Sequence, residues 1–368
     1  MTGRHRHPAT RPVAAAIGLL VALAVSGWLL ASPTPQPEGS ARSGPGSNRL
    51  AAVWPKAKLT EYADSSPYRP VLFLNLTTSV GTSAASDGGQ RLLLVRRGHK
   101  PRVLHTMDPD AQPGFGAIAS DDRTITWVES MPGESGRAGT TLWRAGVAGG
   151  GVRKLTGDTG NAVFSGSQYD LQIVGKRLYW TAQPSRKVTE VRSMPLEGGA
   201  VRTQRLTGAY ALTRWPWAVS VGGAGTDPVK LHNVDTGRTV TVPPGNGEMT
   251  SCGPAWCRVV TLGSGGVTRL AVMRPDGSKR RQVPGAHGQA VNPAVVDVML
   301  ADRFEPVTVS ARNSSGKNQQ LWLFDAKTGR LVLVSDTVST VRGRGDFLWW
   351  STGEAERQRW HVLDLRSV

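Results

Sequence analysis

From Phe115 the chain reads as four short strands in a row. FGAIAS is followed by the turn Asp121-Asp122-Arg123, then TITWVES, a Gly-rich loop, TTLWRAG, the turn Gly149-Gly150-Gly151, and VRKLT. A lone sheet of this size cannot bury both of its apolar faces, so such a unit is stable only when copies of it stack on each other. The first question is therefore whether the pattern recurs.

It does. A large residue marks the second strand of each expected unit: Phe73 in VLFLNL, Trp127, Trp180, Trp217, Trp256, Val309 and Trp350. Their separations run from 37 to 54 residues, in or near the range of a propeller blade. Third strands recur as regularly, as RLLLVRR, TTLWRAG, VTEVRSM, VKLHNVD, TRLAVMR, QQLWLFD and RWHVLDL. Turns suited to positive φ lead into fourth strands at Glu197-Gly198-Gly199, Asp235-Thr236-Gly237, Pro275-Asp276-Gly277 and Lys327-Thr328-Gly329. No helical period appears beyond residue 31, which excludes an α/β fold. The expectation is an all-β, seven-bladed β-propeller over residues 49–368, with six blades as the alternative if the poorly patterned first unit is irregular. The tryptophans read as packing between blades.

The seventh unit stops early, because only Arg366, Ser367 and Val368 follow RWHVLDL. The orphan segment RLAAVW, Arg49 to Trp54, is expected to supply the missing fourth strand and close the ring, removing an open sheet edge.

Ahead of the repeats, residues 1–12 are basic (Arg4, Arg6, Arg11) and Val13 to Ala31 is an uncharged apolar run of 19 residues. As a helix it would span about 28 Å, close to a bilayer core. Charge before it and a Pro/Gly/Ser-rich linker at 32–48 after it point to a membrane anchor with the bulk of the chain outside the cytoplasm, or to a signal peptide and a secreted chain. The net charge of +17 would suggest nucleic acid in a cytoplasmic protein; outside the cell, that partner is excluded. In an exported chain, Cys252 and Cys257 flanking a Gly-Pro turn read as a hairpin disulfide, because four intervening residues do not match a redox CxxC motif and no histidine neighbours complete a zinc site.

The stretch Ala119 to Trp127, ASDDRTITW, resembles the repeat of TolB-like and WD-repeat-like propellers, in which a Ser-Pro-Asp-Gly turn precedes an apolar second strand. Asp121 stands at that motif's Pro and Arg123 at its Gly. The resemblance covers residues 49–368 as architecture and implies a propeller with no particular activity. TolB itself carries an α/β domain before its propeller, which residues 1–48 are too few to form.

Catalytic signatures are sparse. A Gly-x-Ser-x-Gly nucleophile elbow is absent, the five histidines beyond His5 and His7 of the N-terminal segment share no HExxH or HxH spacing, and His232 and His361 read as ordinary strand residues. Asp108-Pro109-Asp110 and Asp121-Asp122 read as turn acids. No cofactor is implied. Two acids gathered at the central channel from different blades would leave no local signature, so a lyase or glycan hydrolase is one alternative function. Basic clusters stand at Arg96, Arg97, Lys100 and Arg102, at Lys279, Arg280 and Arg281, and at Arg342 with Arg344. On one face of a disc they would attract anionic wall polymers or lipid headgroups. Candidate partner-binding loops are Thr77 to Gln90, Met131 to Gly139 and Arg312 to Asn318. The leading expectation is a membrane-tethered, extracytoplasmic module that binds an envelope protein as a scaffold or sensor.

Overall fold

The computed structural model describes residues 48–63, 68–107, 114–131, 139–221, 227–264, 266–310, 319–354 and 358–368. The basic tail, the apolar segment at 13–31, the linker up to residue 47 and the acids at 108–110 lie outside these. Among the described residues no helix is long and apolar enough to cross a membrane.

Seven four-stranded antiparallel sheets make up residues 48–368. In chain order, blade 1 spans 69–107, blade 2 114–156, blade 3 171–207, blade 4 210–242, blade 5 248–282 and blade 6 292–338; blade 7 spans 340–364 and borrows its fourth strand from the N-terminus. The count is seven, not six. Each blade pairs its strands in simple up-and-down order. The turns joining strands 1–2 and 3–4 therefore share one face of the disc, called here the turn face. Strand 2–3 loops and the crossings between blades share the other, the crossing face.

The hydrophobic core is divided among the blade junctions. Leu72, Val80, Leu92 and Leu104 of blade 1 meet Ile118, Ile125 and Trp127 of blade 2. Val128 and Leu142 of blade 2 meet Leu171, Leu178 and Trp180 of blade 3. Corresponding clusters fill the other five junctions, including Phe73 of blade 1 against Phe347, Trp349 and Trp360 of blade 7. Trp127 and Trp180 have no exposed surface. Their expected role in blade packing holds, and each junction buries the face that a single blade leaves open.

Closure joins the two ends of the chain as expected, but through a different segment. The outermost strand of blade 7 is Lys58–Ala63, paired antiparallel with Arg359–Asp364 from Lys58↔Asp364 to Ala63↔Arg359. Residues Leu50–Val53 of RLAAVW form a single helical turn. That turn is docked on blade 6, where Asn48 O accepts from Leu333 N at 2.8 Å and Arg49 pairs with Asp336 at 2.8 Å; Trp54 meets Phe304 edge-on at 5.9 Å. Leu50, Ala51 and Ala52 favour helix over strand. KLTEYA has the β-forming Thr60 and Tyr62 alternating with Glu61, as suits an edge strand half open to water.

Blade 1 also differs from expectation. VLFLN of VLFLNL lies in Arg69–Asn75, the innermost strand, so Phe73 does not mark a second strand. The second strand is Thr78–Ala84, which takes up half of the expected loop from Thr77 to Gln90. Its Ser, Thr and Gly content hid it. Gly81 is small because the Tyr68 ring and the Arg69 carbonyl occupy the space a side chain would need, and Tyr68 Oη bonds Ser79 Oγ at 3.0 Å. In blade 5, Trp256 precedes the second strand, Cys257–Gly263, and does not belong to it.

Candidate functional site

Inner strands line the axial channel, and in two blades that strand is interrupted. In blade 3, residues 161–163 pair with 181–183, and pairing resumes only at Leu171. In blade 6, pairing at Asn292–Pro293 is separated from Phe304–Ser310 by a long excursion. The two excursions meet inside the channel. Ser167 Oγ donates to Asp297 Oδ1 at 2.5 Å and Gln168 N donates to Asp297 Oδ2 at 2.9 Å. Blade 7 completes the bridge, because Arg344 Nη2 donates to Gln168 O at 2.9 Å and Gly345 N to Gln168 Oε1 at 2.7 Å. Blades 3, 6 and 7 are thus tied across the axis by a plug.

Asp170 braces that plug. Its carboxylate accepts from Ser165 N at 2.6 Å, Gly166 N at 2.7 Å, Ser167 N at 3.1 Å and Ser165 Oγ at 3.0 Å. Gly166, at φ 85°, supplies the left-handed conformation this turn requires. Burial raises the Asp170 pKa above the ordinary carboxylate value, and the donated bonds oppose the rise. Below Asp297, Arg258 pairs with Glu305 at 2.5 Å and donates to the carbonyls of Val296 at 3.1 Å and Asp297 at 2.7 Å. Glu305 has no exposed surface, and burial pushes its pKa up against the pull of Arg258. Arg214 pairs with Asp302 at 2.5 Å, and burial raises the pKa of the Tyr169 hydroxyl against the opposing charge of Arg214.

The plug divides the channel into two lobes. The larger, about 1050 Å³, runs between blades 1, 2, 3, 6 and 7. The smaller, about 240 Å³, lies against blades 3 to 6 and the disulfide turn. Asp170, Asp297 and Asp302 are the carboxylates lining the lobes, and each is engaged by the donors above. A carboxyl held this way is a poor proton carrier, since it must break structural bonds to act.

The disulfide Cys252–Cys257 is present and closes the turn between the first two strands of blade 5. The clusters at Arg96–Arg102 and Lys279–Arg281 fall at the turn face by topology, whereas Arg342 stands midway along the inner strand Thr340–Arg344 of blade 7 and Arg344 at its turn-face end; they are not equally free. Arg96 Nη2 donates to Val147 O at 3.1 Å and Arg102 Nη2 to Gly146 O at 2.5 Å, fastening blade 1 to blade 2. Arg280 pairs with Glu248 at 2.5 Å, and Arg281 reaches Lys327 O at 3.5 Å. Arg97, Lys100 and Lys279 are exposed with no ion pair among the described residues. Arg342 and Arg344 line the larger lobe.

His232 bonds Thr239 at 3.0 Å; His361 bonds Thr352 at 2.9 Å and stacks on Trp350, and burial lowers its pKa. Both behave as strand residues. Asp121 Oδ1 accepts from Arg123 N at 2.8 Å and Thr124 N at 2.6 Å, a turn role. The described residues hold no group of three or more acids, histidines or cysteines suited to a metal. Of the candidate binding loops, 132–138 and 311–318 lie outside the described residues.

Sequence reasoning missed Asp170, Asp297, Tyr169 and Glu305. Two signals were available: the long connection of residues 157–170 ahead of LQIV, and an acid inside the otherwise apolar strand FEPVTVS.

The fold is that of a β-propeller among known structures. An uncharacterized protein from Listeria monocytogenes superposes with a TM-score of 0.53 at 9% identity, over 84% of this chain and 95% of its own. The β-propeller domain of the Trilobed protease from Pyrococcus furiosus aligns at 8% identity and TM-score 0.45, over 66% of this chain and 79% of its own. An acylaminoacyl peptidase aligns at 7% identity and TM-score 0.46, over 65% of this chain; the chain spans only 43% of that enzyme's length. TolB-like structures are among the neighbours as well. No family model matches the chain, and no curated protein does. At these identities the propeller shares an architecture with its neighbours and no activity follows from them.

Proposed function

We propose that this propeller is a protein-binding module of the cell envelope, tethered outside the cytoplasm by the apolar segment at 13–31, and that it recognises its partner through the turn face. The observation that carries this reading is the plug: of the carboxylates that line the channel, Asp170 is spent on bracing the plug and Asp297 and Asp302 on tying blades together, which favours recognition by surfaces over turnover at the axis. The exposed Arg97, Lys100 and Lys279 favour a partner with an acidic contact surface. In-cell crosslinking of the full chain in its native host, with capture and mass spectrometry, tests it. One dominant envelope protein should be recovered, and its yield should fall for Arg97→Gln/Lys100→Gln/Lys279→Gln. Recovery of the same protein at undiminished yield from that variant would sink the proposed face.

A second reading, docking on anionic wall polymers or lipid headgroups, is favoured by the same three side chains. It makes a salt prediction. Such binding weakens steeply as the Debye length shrinks from about 10 Å to about 3 Å at 1 M salt, and persistence there would rule it out. Fractionation of the host, with the full chain found in membranes and not in the medium, tests the anchor.

A further inference from the structure

We propose that the larger axial lobe is a binding site for a small anionic ligand, a carboxylate- or phosphate-bearing molecule with an apolar or sugar-like body, received by Arg344 at its floor and by Arg69 and Arg342 on its wall. This goes beyond the partner reading and does not depend on it. A volume of about 1050 Å³ reaches the upper end of ligand sites, about 300–1,000 Å³. The lobe is open at the crossing face, where Arg69 and Thr340 begin their inner strands, and is floored by the plug, where Arg344 ends its own.

Its charges are unequally satisfied. Asp170 and Asp297 are saturated by donors from the plug. Arg344, by contrast, makes one hydrogen bond, to the Gln168 carbonyl, and no carboxylate lies within ion-pair distance of it among the described residues. Arg69 and Arg342 make no ion pair or side-chain hydrogen bond among the described residues. A guanidinium offers five donors in a planar fork that matches carboxylate and phosphate oxygens two at a time. Burial pulls Arg344 down to about 10, and Asp297, Asp170 and Tyr169 offset that pull only in part. An oxyanion placed here would meet donors still unused and a cation still under-compensated. Phe115 and Phe164 supply an apolar wall for the rest of the ligand.

Titration calorimetry on the full chain at low salt tests the site, with inorganic pyrophosphate, trigalacturonate and neutral maltotriose as probes. At least one charged probe should bind one to one. Arg344→Gln should weaken it at least ~10-fold, a loss of about 1.4 kcal/mol. Arg69→Gln/Arg342→Gln, which touches nothing in the plug, should weaken it several-fold with unchanged Tm, and decides the matter alone if Arg344→Gln does not fold. Pyrophosphate alone binding identifies a phosphate site, trigalacturonate alone a carboxylate site, and both a general oxyanion site. The proposal is overturned if neither charged probe binds, if maltotriose binds as tightly, or if the folded variants bind like the wild type. Because the lobe opens at the crossing face, Arg69→Gln/Arg342→Gln should leave partner crosslinking intact, so the two readings fail separately.

Discussion

Replacing Arg258 by Met leaves Glu305, which has no exposed surface, as a buried carboxylate with one remaining donor, Met299 N at 3.1 Å. Breaking a buried pair by removing one partner costs about 3–5 kcal/mol, because the stranded charge keeps its desolvation penalty. The same change deprives the Val296 and Asp297 carbonyls of their donor and loosens the plug from below. For about 320 folded residues, an unfolding entropy of about 2.1 cal/mol/K per residue makes this a fall in Tm of roughly 5–7 °C. The loss depends on pH, with a definite sign. Glu305 already titrates above its ordinary value, so just above that value the folded state holds more protons than the unfolded one and stability falls as pH rises. Without Arg258 the folded value climbs further. The deficit of Arg258→Met is therefore largest above that raised value and shrinks as pH falls through it, where a neutral carboxyl no longer needs the arginine. Scanning calorimetry across that range measures it, with Arg258→Met/Glu305→Gln expected to recover at least half the loss. A single-variant cost below about 1 kcal/mol, or a deficit independent of pH, would refute the account of Arg258 and Glu305 as a mutually dependent pair.

Gly81→Ala should destabilise blade 1 by about 1–3 kcal/mol in urea unfolding, because its methyl would meet Tyr68 Cε2 at 2.6 Å and backbone at Arg69; a neutral result would mean that Tyr68 moves freely. Burial raises Tyr62 to about 12, with Arg97 pulling the other way, so the absorbance difference between the wild type and Tyr62→Phe should show Tyr62 still protonated at pH 11 in the folded chain. Across the window from 10 to 12 the folded state holds the extra proton, so Tyr62 makes stability fall with rising pH there, and Tyr62→Phe should flatten that fall. Reducing Cys252–Cys257, a loop with a sequence separation of 5, should cost about 2 kcal/mol, read as a Tm about 3 °C lower in reductant; no change would place the stapling of that turn in its backbone bonds.

Local patterns carried most of the architecture. Third strands such as TTLWRAG and QQLWLFD stand where expected, at Gly139–Gly146 and Gln319–Asp325, because apolar alternation and the Gly turns beside it are properties of adjacent residues. Thr78–Ala84 escaped for a local reason too: its neighbour Tyr68 supplies the bulk that other second strands carry themselves. The candidate site was far less legible. Arg342 and Arg344 were singled out as charges, but their place in a channel was not apparent, and Arg96 and Arg102 looked like free surface until the edge of blade 2 came against them.

By itself, then, the sequence determined that this protein is a ring of four-stranded blades, seven expected with six as the alternative, stapled at one turn and closed between its ends; the structure made the count seven. Period, turn chemistry and cysteine spacing act over a few residues, and any chain with them must stack its blades to bury their faces. Tertiary structure alone decided that Lys58–Ala63 and not RLAAVW closes the ring, that blades 3 and 6 cross the axis, and that Asp297 is consumed there while Arg344 is left under-compensated. The Ser167–Asp297 bond joins residues 130 apart and Gly345–Gln168 joins residues 177 apart. Contacts at that separation exist only once ring geometry sets which blades face each other across the channel, so no local pattern encodes them.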